Sequence, residues 1–263
     1  MPTTLLAIAH LLRDCARAEI VPRFQRVTAV AKADGSWLTD ADTGMQQAVA
    51  QRLARDFPHY GFLGEEADAA TQQACLEDTS RPFWVLDPLD GTSNFTAGIP
   101  FISTSLALIE HGRPVLGVVY DPLRDEWFGA QQGRGAWCNG AQFSAQAPPT
   151  PLAKGIGIVD FKRLSAPLAT RLATAPPFSS QRSFGSVALD WCWLAAGRAH
   201  VYLHGGQRLW DYAAGYLILH EAGGQACTLS GEDVFQLTLQ PRSALAAPTA
   251  DLFHTWKTYV MAD

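Results

Sequence analysis

The sequence predicts a mixed α/β fold, of the α+β kind, in which helices and largely antiparallel strands interleave in two successive halves. Three observations predict it. The 263 residues are 48% hydrophobic and 17% charged, so much of the chain must be interior and disorder is excluded. Apolar residues recur at helical spacing in some windows and as short runs bounded by turn residues in others. Residues 145–151 (AQAPPTP) interrupt both patterns and are the best linker candidate, dividing an N-terminal half (1–147) from a C-terminal half (148–263).

Leu5, Ile8, Leu11, Leu12, Cys15 and Ile20 predict an amphipathic helix from Thr4 onward. A second helix is predicted over residues 42–57, with Met45, Val49, Leu53 and Phe57 on one face and Pro58 ending it. A strand at 83–86 leads into a glycine turn at Gly91. Runs at 103–109 and 114–120, joined by His111-Gly112-Arg113, read as a hairpin, with further strands at 126–130 and 136–138. Beyond the linker come a strand at 156–159, a helix at 187–196, a strand at 200–204 and a helix at 213–222 closed by Gly223-Gly224.

A net charge of −5, with no run of Lys or Arg, argues against direct nucleic-acid binding and against an anionic-membrane patch. Five cysteines, odd in number and without C-x-x-C spacing, argue against a disulfide framework or zinc site and for a reducing, cytoplasmic setting. The first residues do not read as a signal peptide, and the longest weakly charged apolar run, 99–109, is too short to span a bilayer.

The most informative string is Trp84-Val85-Leu86-Asp87-Pro88-Leu89-Asp90-Gly91-Thr92-Ser93. Two carboxylates end an apolar strand, a glycine turns the chain, and Thr92-Ser93 opens a helix whose first N–H groups lack partners. Carboxylates hold divalent cations and free amides hold anions, so the string suits a metal-bridged phosphate. Its six-residue centre DPLDGT would arise by chance in on the order of one such chain in ten thousand or fewer. Gly64-Glu65-Glu66 ends another apolar run in acid. Asp211, in Trp210-Asp211-Tyr212, stands at a helix start, where an N-cap role is the plain alternative. Lys32, in KADGS, and Asp42 could face a phosphate or orient a hydroxyl such as Thr92. All these donors are oxygens, which selects Mg²⁺ or Mn²⁺ over zinc. Acids so crowded would repel one another without cations. His200 and His204 fall on a strand rather than a helix and do not form a zinc pair.

The chain resembles the inositol monophosphatase family of magnesium-dependent, lithium-sensitive phosphatases. KADGSWLTDAD, FLGEE, WVLDPLDGTSNF, GVVYDP, GRGAWCNG, RSFGS and WDYAAGYLILHEAGG carry the resemblance from Lys32 to Gly224. It implies a layered α-β-α-β-α sandwich, assembled as a homodimer, binding two or three Mg²⁺ ions. By position it implies metal ligands at Glu65, Asp87, Asp90 and Asp211 and at the Leu89 carbonyl, with Glu66 behind them. Gly91, Thr92 and Ser93 would bind phosphate. Thr92 with Asp42, assisted by Lys32 and Glu65, would activate the attacking water. Arg182, Gly185, Ser186 and His204 would line the substrate pocket. The implied activity is hydrolysis of a small polyol or sugar phosphate. Bisphosphate nucleotidase, fructose-bisphosphatase and histidinol-phosphatase activities are alternatives, as is a regulatory protein-binding dimer. One position departs from the pattern. His204 stands seven residues before Asp211, where inositol-hydrolysing members have a glutamate, and this favours a second anionic, an aminated or an aromatic group on the substrate.

Overall fold

The computed structural model describes residues 1–26, 30–31, 37–145 and 151–262. Helices α1 (Thr3–Glu19) and α2 (Asp40–Asp56) flank a short ladder of β1 (Val30–Ala31) and β2 (Trp37–Leu38). Then come β3 (Gly61–Gly64), α3 (Ala69–Glu77), β4 (Phe83–Asp90), α4 (Thr92–Ala97), β5 (Ser103–Glu110), β6 (Arg113–Asp121), β7 (Glu126–Gln131), β8 (Gly135–Cys138) and β9 (Ala141–Phe143). Strands β3 to β9 form one sheet in chain order, β3 and β4 parallel and every later pair antiparallel.

The remainder contains β10 (Ile156–Asp160), α5 (Ala166–Thr174), β11 (Ser180–Arg182), α6 (Val187–Ala195), β12 (Val201–Gln207), α7 (Leu209–Ala222), β13 (Gln225–Cys227), β14 (Arg242–Ala247) and α8 (Ala250–Met261). Its five-stranded sheet has the order β11-β10-β12-β14-β13, with β11, β10 and β12 parallel.

Side-chain alternation sorts these elements into five layers. On β4, Trp84 and Leu86 face a core shared with Leu5, Leu12, Met45 and Val49 of α1 and α2. Phe83 and Val85 face the opposite core, which holds Trp191 of α6 and Ile218 of α7. Tyr202 and Ile158 of the second sheet close that middle core from the far side. Val201, Leu203 and Val159 point outward onto Leu172 of α5 and Trp256 of α8. The result is the expected α-β-α-β-α sandwich. Helix α7 occupies the central layer and is apolar nearly all round, as a helix between two sheets must be.

The hairpin, α1, α2 and α6 match their predicted places. Two predicted boundaries need correction. Strand β4 runs through the Asp87-Pro88-Leu89-Asp90 string rather than ending at 86, and α7 starts at Leu209 rather than 213. Strand β14 and helix α8 were not predicted, although Leu252, Trp256 and Val260 repeat at helical spacing behind an N-cap threonine, Thr249. Of the linker candidate, residues 146–150 lie outside the described residues.

Close seating of α7 on the first sheet requires a glycine at 117. A Cβ there would lie 2.9 Å from the Ala214 Cα and 3.0 Å from its carbonyl oxygen. Gly117→Ala should therefore cost about 1–3 kcal/mol in urea unfolding, because backbone must move to admit it. A loss below about 0.5 kcal/mol would show that the two elements can part freely.

Candidate active site

Residues three apart on a strand ordinarily face opposite sides. Asp87 and Asp90 do not, because β4 is irregular between them: Asp87 pairs with Ser105 and Asp90 with Ser103, so three steps on β4 oppose two on β5. Both carboxylates therefore point to the central layer. The Thr104 hydroxyl donates to the Pro88 carbonyl at 2.8 Å and holds the bulge. The Ser105 hydroxyl donates to the Trp210 carbonyl at 3.1 Å, tying the start of α7 beside Asp87.

Each acid sits where backbone N–H groups gather. Asp87 Oδ1 accepts from the Leu89 N–H at 3.0 Å. Asp90 Oδ2 accepts from the Ser186 hydroxyl and the Ala188 N–H, both at 2.7 Å, at the N-terminus of α6. Asp211 is the third residue of α7 rather than its N-cap, and its Oδ2 accepts from the Arg208 N–H at 2.7 Å. Glu65 follows β3 directly, its N–H donating to Leu86 O at 3.0 Å, which brings it alongside β4. Helix N-termini favour negative charge, and here those of α6 and α7 lie against Asp90 and Asp211.

Even so, the charge is not fully compensated. Burial, followed by Glu65, Asp90 and Asp211, pushes the Asp87 carboxyl well above the usual range. Asp211 is raised in the same way by burial, Asp90 and Glu65. Asp90 is raised to about 6 by burial, against the pull of its hydrogen bonds from Ser186 and Ala188. Hydrogen bonding to Glu65 adds a smaller part of the rise at Asp87. As they stand, among the described residues no three His, Cys, Asp or Glu side chains are spaced to hold a metal ion. In donor chemistry the cluster fits a hard divalent cation: it is buried, acidic and made of oxygens.

Beside it, Asp42 closes a capping box on α2, its Oδ2 accepting from the Thr39 N–H at 2.8 Å and the Thr39 hydroxyl at 2.6 Å. Its Oδ1 lies 3.3 Å from the Thr92 hydroxyl, which is 3.0 Å from the Leu89 carbonyl. Burial raises Asp42 to about 6, with Thr39 opposing and Glu66 and Glu65 adding to the rise. Gly91 adopts φ 93°, and a Cβ on it would lie 3.1 Å from the carbonyls of both Gly185 and Phe101. Gly185, also left-handed at φ 84°, packs against Asn94, which donates to Phe101 O at 2.8 Å and Phe184 O at 2.6 Å. Ser93 is exposed at the start of α4.

Of the residues expected to line the substrate pocket, Gly185 and Ser186 join this cluster. Ser186 is fully buried, with its hydroxyl on Asp90 and 3.1 Å from that of Ser103. His204 is 2% exposed. Its Nδ1 accepts from the Gly206 N–H at 3.1 Å, and its Nε2 lies 2.9 Å from Asp160 Oδ2, close but poorly aligned for a hydrogen bond. The exposed Arg182 bonds locally to Ser180 and Gln181 O, both at 2.7 Å. His200 Nδ1 accepts from the Ile156 N–H at 3.0 Å, so neither histidine offers a metal that nitrogen. Lys32 lies outside the described residues. Sequence reasoning missed Asp160, although it ends an apolar strand as Asp87 does. It also missed Asp190, a buried acid on α6 raised by burial and by Asp90, with Oδ1 unpartnered among the described residues.

An acid whose carboxyl is raised on folding holds its proton more tightly in the folded chain, so it withdraws stability as pH climbs from its unfolded to its folded value. Asp42 and Asp90, both at about 6, place this loss between about pH 4 and 6, and Asp87 and Asp211 extend it upward. In chelator, these groups should lower the melting temperature across that window, and Asp90→Asn should flatten the fall. A fall equally steep in the Asn variant would contradict the assignment.

Comparison with known proteins identifies the family. The profile of the inositol monophosphatase family matches residues 3–260. Inositol monophosphatase 2 of Solanum lycopersicum is 37% identical over 224 residues, covering 82% of this chain and 83% of the relative. The Nus factor SuhB of Xylella fastidiosa is 35% identical over 217 residues, covering 81% and 76%. Among solved structures, an inositol monophosphatase (IMPase) of Thermotoga maritima superposes with a TM-score of 0.85 at 27% identity, covering 99% of this chain and 97% of that one. The chain belongs to the inositol monophosphatase family of phosphoric monoester hydrolases.

Proposed function

We propose that the chain is a Mg²⁺-dependent phosphatase that hydrolyses a small polyol or sugar phosphate with water as the nucleophile. The observation that carries this reading is the convergence of buried Asp87 and Asp90 with half-buried Glu65 and Asp211 next to the opening of α4. These four side chains and the Leu89 carbonyl would hold two or three Mg²⁺ ions, or Mn²⁺ in their place, with Glu66 supporting Asp42 and the cluster from behind. Bound there, such ions lower the pKa of a water and stabilise charge on the departing oxygen.

The protein's own contributions follow from its contacts. The N–H groups of Gly91, Thr92 and Ser93 precede the first turn of α4 and have no partners within it, so they suit phosphate oxygens. The Thr92 hydroxyl, placed between Asp42 Oδ1 and the Leu89 carbonyl, is poised to pass a proton from the attacking water to Asp42. A carboxyl at about 6 is suited to that exchange near neutral pH. Lys32 would assist near the water. Arg182 and the Gly185 backbone would face the alcohol half of the substrate. Ser186 and His204, both buried, would act through Asp90 and Asp160. All five cysteines are free thiols, which favours a reducing compartment such as the cytoplasm. No helix among the described residues is long and apolar enough to cross a membrane. Family likeness supports a homodimer.

A second reading, regulatory protein binding, draws support from the Nus factor name of the Xylella relative. Partners retained by a catalytically dead Asp90→Asn chain would favour it.

The principal test is phosphate release from inositol 1-phosphate and glycerol 2-phosphate in MgCl2 against EDTA. Asp90→Asn should lower kcat/KM by about a hundredfold or more without lowering the melting temperature in EDTA. No release from either ester, or full activity in the variant, would overturn the reading.

A further inference from the structure

Strands β11, β10 and β12 run parallel and end side by side. Ile158, which packs between the sheets, aligns with Arg182 and Tyr202, and Asp160 aligns with His204. The inner face of this sheet edge thus carries Arg182, Asp160 and His204 toward the layer that holds α6 and α7. Carboxyl ends of parallel strands are where open α/β sheets place their ligands.

At this edge Asp160 is fully engaged. Its Oδ1 accepts from the Lys162 N–H at 2.8 Å, and its Oδ2 meets His204 Nε2 at 2.9 Å and Arg163 Nη1 at 3.1 Å. The adjacent imidazole, foremost, holds the Asp160 carboxyl down at about 2, so it is a fixed negative charge at any working pH. What it presents outward is Arg163.

The Arg163 side chain is half exposed, and among the described residues its guanidinium makes no other hydrogen bond. Its backbone rests on β12, where the strand shifts register between His204 and Gln207. A Cβ on Gly205 would run into the Arg163 carbonyl, and one on Gly206 would lie 3.7 Å from Arg163 Cδ. The same stretch of chain continues through Arg208 into the first turn of α7. An anchored, half-exposed guanidinium therefore stands against the stretch of chain that leads into Asp211. A planar fork with N–H donors to spare suits a carboxylate or phosphate far better than a lone hydroxyl.

We propose that Arg163 is a specificity-determining residue of this site and reads a second anionic group, a phosphate or a carboxylate, on the alcohol half of the phosphate monoester, with Asp160 and His204 as its positioning residues. The inference rests on the phosphatase reading above and narrows its substrate class.

The test compares matched esters in MgCl2: 2-phosphoglycerate against glycerol 2-phosphate, and inositol 1,4-bisphosphate against inositol 1-phosphate. In the unaltered chain kcat/KM should favour the member with the second anion by about tenfold or more, as a charge-assisted contact of this kind supplies. Arg163→Ala should bring both ratios close to one, mainly by raising KM for the doubly anionic esters, and Arg163→Lys should recover part of the preference. Asp160→Asn should lower the ratios through KM as well, with kcat much less affected; a purely structural role would not split the two constants this way. Ratios that ignore Arg163→Ala, or that favour the simpler esters in the unaltered chain, overturn the inference. If the simpler esters are hydrolysed and Asp90→Asn abolishes that hydrolysis, the phosphatase reading survives such a result. No release from any of the four esters overturns both.

Discussion

Like charges buried together are costly, and this structure is organised around one such cost. Asp87 and Asp90 are withdrawn from water beside half-buried Glu65 and Asp211, and their charges push up the carboxyls of Asp87 and Asp211. What makes the arrangement tolerable is the backbone. The opening turns of α6 and α7 donate N–H groups directly to Asp90 and Asp211. The bulge in β4 turns an N–H of its own onto Asp87. Helix dipoles and directed amides offset part of the repulsion. The remainder is an unspent attraction for positive charge, and the proposed chemistry draws on it.

Assembly of the cluster depends on long-range packing. Residues preceding 91 supply three of the acids, and Asp211 arrives from the other sheet's side on α7. Two contacts register the pieces: Ser105 on the Trp210 carbonyl and Asn94 on the Phe184 carbonyl. Both join polar groups that would otherwise be buried unsatisfied, so losing either leaves an orphan rather than only a missing bond. Gly91 and Gly185 meet backbone to backbone between these contacts, with no room for a side chain.

Much of this was legible in the sequence because the signals are local. An apolar run ending in acid marks Glu65 and Asp87, and a glycine before Thr92 marks the opening of α4. The hairpin around Gly112 and the helical faces of α1 and α2 are likewise written in short windows. What stayed hidden is relational. Strict alternation would put Asp87 and Asp90 on opposite faces, and only their pairing with Ser105 and Ser103 reveals the shared one. The partnership of Asp160 with His204 comes from parallel register between strands separated by two helices and another strand, and no local pattern records it. His204 read as a group meeting substrate because its position was visible and its burial was not.

Helix α7 lies in the central layer with Tyr212, Ala213, Ala214, Ile218 and Leu219 completely shielded. Dissolved salt damps fields between exposed charges over roughly 8–10 Å, but mobile ions cannot enter a packed interior. The shielded turns of this helix therefore lie out of reach of added salt, whereas Asp211 at its amino end is only half-buried. By contrast, the exposed ion pairs that dot the rim, such as Arg17 with Asp125, weaken in brine. Changing salinity would thus retune how this molecule meets other charged bodies while leaving its interior electrostatics nearly untouched.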